Sequence, residues 1–202
     1  MMMDLRSFWM PWEKAYNETE ILERAMVAFW ARGYEATSVS DLVEAMGINR
    51  GSIYAAFDGK HALFMQALRH YDDVHRRKYL ERVSEKYPAR QAILTVFDDA
   101  AAGTDQKVRP AGCLLVNTSL ELSPHDPEVR SFVNACLREV EEFFYCKVEA
   151  AKDEADVSAT LDSRSTAQAL LGLFLGIRVL TRSSARQSAI DSIVSTAAAL
   201  LE

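Results

Sequence analysis

At 202 residues, 49% of them hydrophobic and with only eight Gly and five Pro, the chain is long enough for one large or two small helical domains. Its formal net charge of −6 argues against a protein that coats nucleic acid nonspecifically, and no apolar run approaches the roughly 20 residues needed to span a bilayer. Three cysteines, Cys113, Cys136 and Cys146, are odd in number and widely spaced, so they make neither a disulfide framework nor a zinc pattern and read as reduced thiols.

Residues 1–17 show no period and are expected to form an N-terminal arm. The opening MMMDLRSFWMPW carries an acid and has no continuous apolar core, so it does not read as a secretory signal. Arg6 and Lys14 are offset by Asp4 and Glu13, and no DNA contact is expected from this arm. From Glu18 to Arg32, Ile21, Leu22, Ala25, Met26, Ala28 and Phe29 make one helical stripe that Gly33 ends.

The segment Thr37–Phe57, TSVSDLVEAMGINRGSIYAAF, reads as two short helices joined by a tight turn. Thr37 and Ser38 offer capping hydroxyls, and Asp41 stands three residues after Ser38 as in a capping box. Val39, Leu42, Val43 and Met46 give the first helix an apolar face, and Gly47 stops it by taking a left-handed backbone cheaply. Asn49 caps the second helix, whose Ile53 and Phe57, four apart, turn inward. Arg50, Gly51, Ser52, Tyr54 and Ala55 are left facing outward: a guanidinium, a hydroxyl, a phenol and two small residues, which suit a phosphate-walled groove. The pattern is helix-turn-helix, although helix, Gly corner, helix also occurs in helical enzymes.

Asp58-Gly59 breaks the chain, and Lys60 opens a helix of about 25 residues carrying Leu63, Phe64, Ala67, Leu68, Tyr71, Val74 and Tyr79. Arg76, Arg77, Lys78 and Arg82 are expected to be a solvated face rather than DNA contacts. Pro88 marks a boundary before a helix over residues 91–102, and residues 103–110 are turn-rich. Gly112 and Cys113 begin an apolar helix that ends at Ser123-Pro124, and Asp126 caps a long one in which Cys136 and Cys146 read as core. After a charged loop at 152–162, the helix from Ser163 to Thr181 is apolar nearly all round, with Gly172 and Gly176 four apart. The last helix, Ala185 to Leu201, has one apolar face.

The stretch ILERAMVAFWARGYEATSVSDLVEAMGINRGSIYAAFDGKHALFMQAL resembles the N-terminal pattern of the tetracycline-repressor (TetR) family of bacterial regulators, with Phe29, Gly33, Tyr34, Thr37, Gly47, Gly51, Tyr54, Phe57, Lys60 and Leu63 as signposts. The resemblance implies an all-α, TetR-like fold of about nine helices. A three-helix DNA-binding head would occupy residues 18–63, and an effector-binding and dimerisation region residues 64–202. It implies a cytoplasmic, homodimeric transcriptional repressor that grips double-stranded operator DNA and is released by a small-molecule effector or by thiol modification, with the dimer formed through the last two helices and no membrane partner.

Carried over by position, Thr37 resembles a phosphate-contacting hydroxyl, Arg50 the base reader, Gly51, Ser52, Tyr54 and Ala55 the rest of the recognition face, and Lys60 a phosphate-binding lysine. Many members have an aromatic residue or His where this chain has Ala55 and Ala56, which trims base readout. For the effector site, Phe97, Asn117, Phe143, Phe144 and Phe174 are candidates, together with Cys113, whose Gly-Cys-Leu setting resembles the electrophile-sensing branch. Arg109 stands four residues before that thiol.

Between Glu18 and Lys60 the cations Arg24, Arg32, Arg50 and Lys60 face seven acids, so specificity has to come from placement rather than mean charge. No phosphate loop, catalytic triad order or metal-ligand spacing is present, and His61, His70, His75 and His125 are scattered. No catalytic residue, cofactor or metal is expected. The other readings are a helical ligand-binding or adaptor protein without DNA contact, and a small helical enzyme.

Overall fold

A computed structural model describes residues 18–102 and 110–202 of the chain, so the expectations for the 1–17 arm and for Arg109 lie outside the described residues. The order is α1 (Glu18–Arg32), α2 (Val39–Met46), α3 (Arg50–Phe57), α4 (Lys60–Tyr71), a π-helical segment (Asp72–Arg77), α5 (Lys78–Lys86), α6 (Ala89–Ala102), α7 (Leu114–Glu121), α8 (Pro127–Asp153), α9 (Ser163–Arg182) and α10 (Gln187–Ala199). Because α4, the π segment and α5 form one rod over 60–86, nine helical rods stand among the described residues, and the all-α expectation holds. None of the described helices is long and apolar enough to cross a membrane.

The local signals fold as the sequence predicts. The Ser38 hydroxyl accepts from Asp41 N at 3.1 Å, while the Asp41 carboxylate accepts from Ser38 N at 2.8 Å, closing the capping box at α2. The Ser38 hydroxyl, the Ser38 backbone N–H and Arg32 together hold the Asp41 carboxyl down to about 2. A lowered value means that this contribution is present above the ordinary carboxylate range and is lost as pH falls towards 2. Gly47 adopts φ 69° at the C-terminus of α2, and the Asn49 side chain accepts from Ser52 N at 2.8 Å to start α3. Ser38→Ala is expected to cost about 1 kcal/mol, read as a lowered urea midpoint with an unchanged slope.

Two apolar clusters hold the rods together. The first joins α1 to α4, including Phe29, Leu42, Ile53, Phe57 and Phe64, to Leu114, Leu115, Val129 and Val133 of α7 and α8. The second joins Val83 to α6, the later part of α8, α9 and α10, with Phe97, Phe144, Leu170 and Ile190. Leu63, Phe64 and Leu68 belong to the same cluster, so side-chain packing runs unbroken from the head through α4 and across to α7. The head is therefore seated on the rest of the chain by shared core.

The π segment is the one element the sequence did not announce. Its wider turn brings residue 77 as well as residue 76 back to Asp72. Arg76 donates to both carboxylate oxygens of Asp72 and to Glu139 Oε2 (2.6 Å), and Arg77 donates to Asp72 Oδ2 (3.0 Å) and Glu139 Oε1 (2.7 Å). Asp72 and Arg76 are buried, so the expected solvated face is corrected there: Arg76 is drawn inward by carboxylates on its own helix and on α8. Burial opposes the charge of Arg76, but bonds from Asp72 and Glu139 outweigh it and raise its pKa. Cys136 lies beside this pair, its thiol pushed up to about 12 by burial and then by Asp72. Cys146 is exposed rather than core, because it falls on the outer side of α8.

Candidate DNA-binding face and effector cavity

Helix α3 is held from below by Ile53 and Phe57, both buried, and this anchoring turns Arg50, Gly51, Tyr54, Ala55 and Ala56 to the exterior, with Ser52 half-buried. Tyr54 is 49% exposed, so its ring and hydroxyl are open to the exterior. The Arg50 guanidinium lies 5.9 Å from the Tyr54 ring centroid and makes no ion pair among the described residues, so its five donors remain available. Lys60, at the start of α4, rests over the Tyr34 ring at 4.1 Å. The ring fixes the ammonium at a helix N-terminus, where an anion is already favoured.

Thr37 is a correction. It is fully buried, and its hydroxyl donates to Gly33 O at 2.6 Å, so the side chain ties the α1–α2 corner together and presents nothing to a phosphate. That corner is also where the body grips the head. The Glu121 carboxylate, at the end of α7, accepts from Tyr34 N (3.1 Å) and Glu35 N (2.8 Å). Gly33 has φ 88°, a backbone that favours glycine, and a Cβ there would lie 2.7 Å from a Glu121 oxygen and push that carboxylate off its position. Arg182, the last residue of α9, donates to Trp30 O (3.3 Å) and Ala31 O (2.8 Å), satisfying carbonyls at the C-terminus of α1. Two further pairs, His61 with Asp126 at 2.7 Å and Arg69 with Glu128 at 3.2 Å, tie α4 to the start of α8. Nothing local in the sequence marks Glu121 or Arg182, because their partners lie 86 to 152 residues away.

Between the π segment, α5, α7, α8 and α9 lies a cavity of about 40 Å³, walled by Leu80, Leu115, Val116, Leu137, Val140 and Leu175 with Phe174 and a few polar groups. Two of the six effector candidates reach it: Cys113, at the N-cap of α7, and Phe174. Tyr71 Oη donates to Cys113 Sγ at 3.3 Å. Burial, followed by the neighbouring thiol, raises the Tyr71 pKa well above the usual phenol value, so the phenol stays a donor.

The other four candidates lie elsewhere. Phe97 and Phe144 are fully buried and pack edge-to-face behind Phe174, with centroids 6.3 and 6.1 Å from its ring, so they back the wall rather than form it. Phe143 opens on a shallow outer groove beside Arg76, Arg77 and Glu139. Asn117 is half-buried on α7 away from the cavity wall, with its Nδ2 lacking a hydrogen-bond acceptor. Arg178 and Tyr79, both on the wall, were not singled out by the sequence. Arg178 falls one turn before Arg182 on a helix whose periodicity shows only that it is apolar. Among the described residues no group of three or more His, Cys, Asp or Glu is placed to hold a metal ion.

Comparison with known proteins covers both parts of the chain. Residues 21–67 match the model of bacterial regulatory proteins of the tetR family, and residues 89–197 match that of the tetracyclin repressor-like C-terminal domain. The chain is 28% identical to the HTH-type transcriptional repressor ComR of Escherichia coli (strain K12) over 187 residues, 91% of this chain and 88% of that one. It is 29% identical over 145 residues to the uncharacterized HTH-type transcriptional regulator YezE of Bacillus subtilis (strain 168), 72% of this chain and 75% of that one. In structure it resembles a cysteine mutant of the regulator CifR complexed with 26-bp double-strand operator DNA, with a TM-score of 0.81, 29% identity, and coverage of 92% of this chain and 97% of that one.

Proposed function

The chain belongs to the TetR family of bacterial regulatory proteins, and from that premise we propose that it is a cytoplasmic transcriptional repressor, and not an enzyme, that binds operator DNA as a homodimer. Residues 18–63 form the DNA-binding head and residues 64–202 the effector-binding and dimerising body. The observation that carries the reading is α3: its buried side is committed to Ile53 and Phe57, while Arg50 and Tyr54 stand outward without partners that would hold them back from a groove. Arg50 reads a base edge, Tyr54 and Ser52 meet phosphate, Gly51 and Ala55 allow close approach, and Lys60 holds phosphate at the start of α4.

Dimerisation fits the outer face of α9. Gly172 and Val179, seven residues apart and so on one side, are both exposed, and a Cβ at Gly172 would meet nothing within 4 Å. A second copy laid against that stripe and α10 would give a twofold four-helix contact that sets the two heads at a fixed spacing. Release follows when an effector in the cavity, or modification of the Cys113 thiol that borders it, favours a head spacing that no longer fits two adjacent major grooves.

The test is binding of the purified protein to the DNA upstream of its own gene, with salt titration and random-duplex competitor. Site-selective binding that survives competitor is expected. Equal affinity for random duplex, or no selected site from a genome-wide DNA library, sinks the repressor reading and leaves the adaptor or enzyme.

A further inference from the structure

Among the described residues, the wall of the cavity carries a cation without a counter-ion. Arg178 projects from α9 against the Phe174 ring, 5.0 Å from its centroid, and its Nε is buried with no hydrogen-bond acceptor. No described carboxylate pairs with it. The neighbouring cation, Arg76, is fully engaged by Asp72 and Glu139, so the acids of this region are already spent. The phenols are spent too, since Tyr71 donates to Cys113 and Tyr79 donates to Asp99 at 2.6 Å. The Arg178 Nε is shut away from water and the aliphatic side chains beside it offer no acceptor, so one donor of the guanidinium is left unsatisfied at a cost. Its planar fork of donors matches the two oxygens of a carboxylate.

We infer that the cavity is a receptor for a short-chain monocarboxylate, held through its carboxylate by Arg178 with its hydrocarbon body among Leu115, Val116, Val140 and Leu175. This deepens the effector part of the proposed function and rests on it. Size narrows the class: a cavity of about 40 Å³ lies far below the roughly 300–1,000 Å³ of a drug-sized site. The occupant is an acid of a few carbons, and bulkier acids enter only if the walls move.

The experiment is calorimetric titration of the full-length protein, without DNA, with formate, acetate, propionate, butyrate and benzoate and with the primary amide of each. At least one acid is expected to bind tenfold or more tightly than its amide, about 1.4 kcal/mol of preference, with butyrate or a smaller acid ahead of benzoate. Arg178→Met is expected to erase the preference for acid over amide, and Arg178→Lys to retain part of it. Equal binding of acids and amides, no detectable acid binding up to about 10 mM, or a preference unchanged in Arg178→Met each overturns the inference. The acid-amide comparison in the natural protein decides even if Arg178→Met fails to fold. Because no DNA is present, loss of the operator reading and loss of this one are separate results.

Discussion

Arg50→Ala is expected to weaken operator binding by between about 30-fold and about 10⁴-fold while leaving the fold intact. A guanidinium that bonds guanine O6 and N7 as a fork is worth roughly 1–3 kcal/mol, and a dimer carries the residue twice, so roughly 2–6 kcal/mol is at stake. The side chain is exposed and makes no ion pair, so its removal leaves no buried group unsatisfied and the thermal midpoint should not move. The informative comparison is with Lys60→Ala. Lys60 sits on the Tyr34 ring as a point charge, so its loss should weaken every duplex alike and lower the salt dependence, whereas loss of Arg50 should relax discrimination at one base pair. Fluorescence anisotropy on the operator and on single-base variants of it separates the two. An Arg50→Ala protein with undiminished affinity and selectivity would remove α3 from the role of reader.

The second large effect is on stability. Asp72→Ala is expected to cost about 3 kcal/mol or more, since it strips a buried guanidinium of its bidentate partner and leaves Arg76 with Glu139 alone. Glu139→Ala should cost less, because that carboxylate is close to half exposed and water can replace it. Replacing the buried pair with aliphatic side chains, Asp72→Leu with Arg76→Met, should recover most of the loss, because the penalty lies in the unpaired charge rather than in the absence of an ion pair. Urea unfolding at a single protein concentration is the measurement, as the stability of an oligomer varies with dilution. A single Asp72→Ala substitution with an unchanged midpoint would mean that water reaches Arg76 freely.

What the sequence disclosed and what it withheld divide by range. Ser38 with Asp41, Gly47, Asn49 and Asp126 with Pro127 are each complete within a few residues, and all of them cap or stop helices as their local chemistry dictates. The inward pair Ile53 and Phe57 is likewise fixed by spacing alone, which is why the face opposite it was legible. Thr37 was misjudged because a hydroxyl next to a helix start has two local uses, and only the path of the chain past Gly33 decides between them. Arg76 could not be placed without Glu139, 63 residues on, and the clasp of Glu121 and Arg182 on the α1–α2 corner joins segments with no shared sequence signal. The cavity suffered most: on α9 every apolar residue looked equally central, so Phe174 and the aromatic residues behind it were grouped together, while nothing in the local pattern singled out Arg178.

The π segment between Tyr71 and Lys78 has a further meaning when the rod is considered as a matter of phase. An α-helix advances about 100° per residue, and a π turn takes up one extra residue without shifting what lies on either side. Upstream, Leu63, Phe64, Leu68 and Tyr71 point into the first cluster, and downstream Tyr79, Leu80 and Val83 point into the second. Deleting one residue between 72 and 77 would let the rod run as plain α-helix with Leu80 and Val83 still on the core they fill, whereas winding all the residues as plain α-helix would swing them by about 100° off it. The bulge is therefore the joint at which two independently keyed surfaces are reconciled on a single shaft. The extra residue held there lets the side chains above it and those below it each keep their own core.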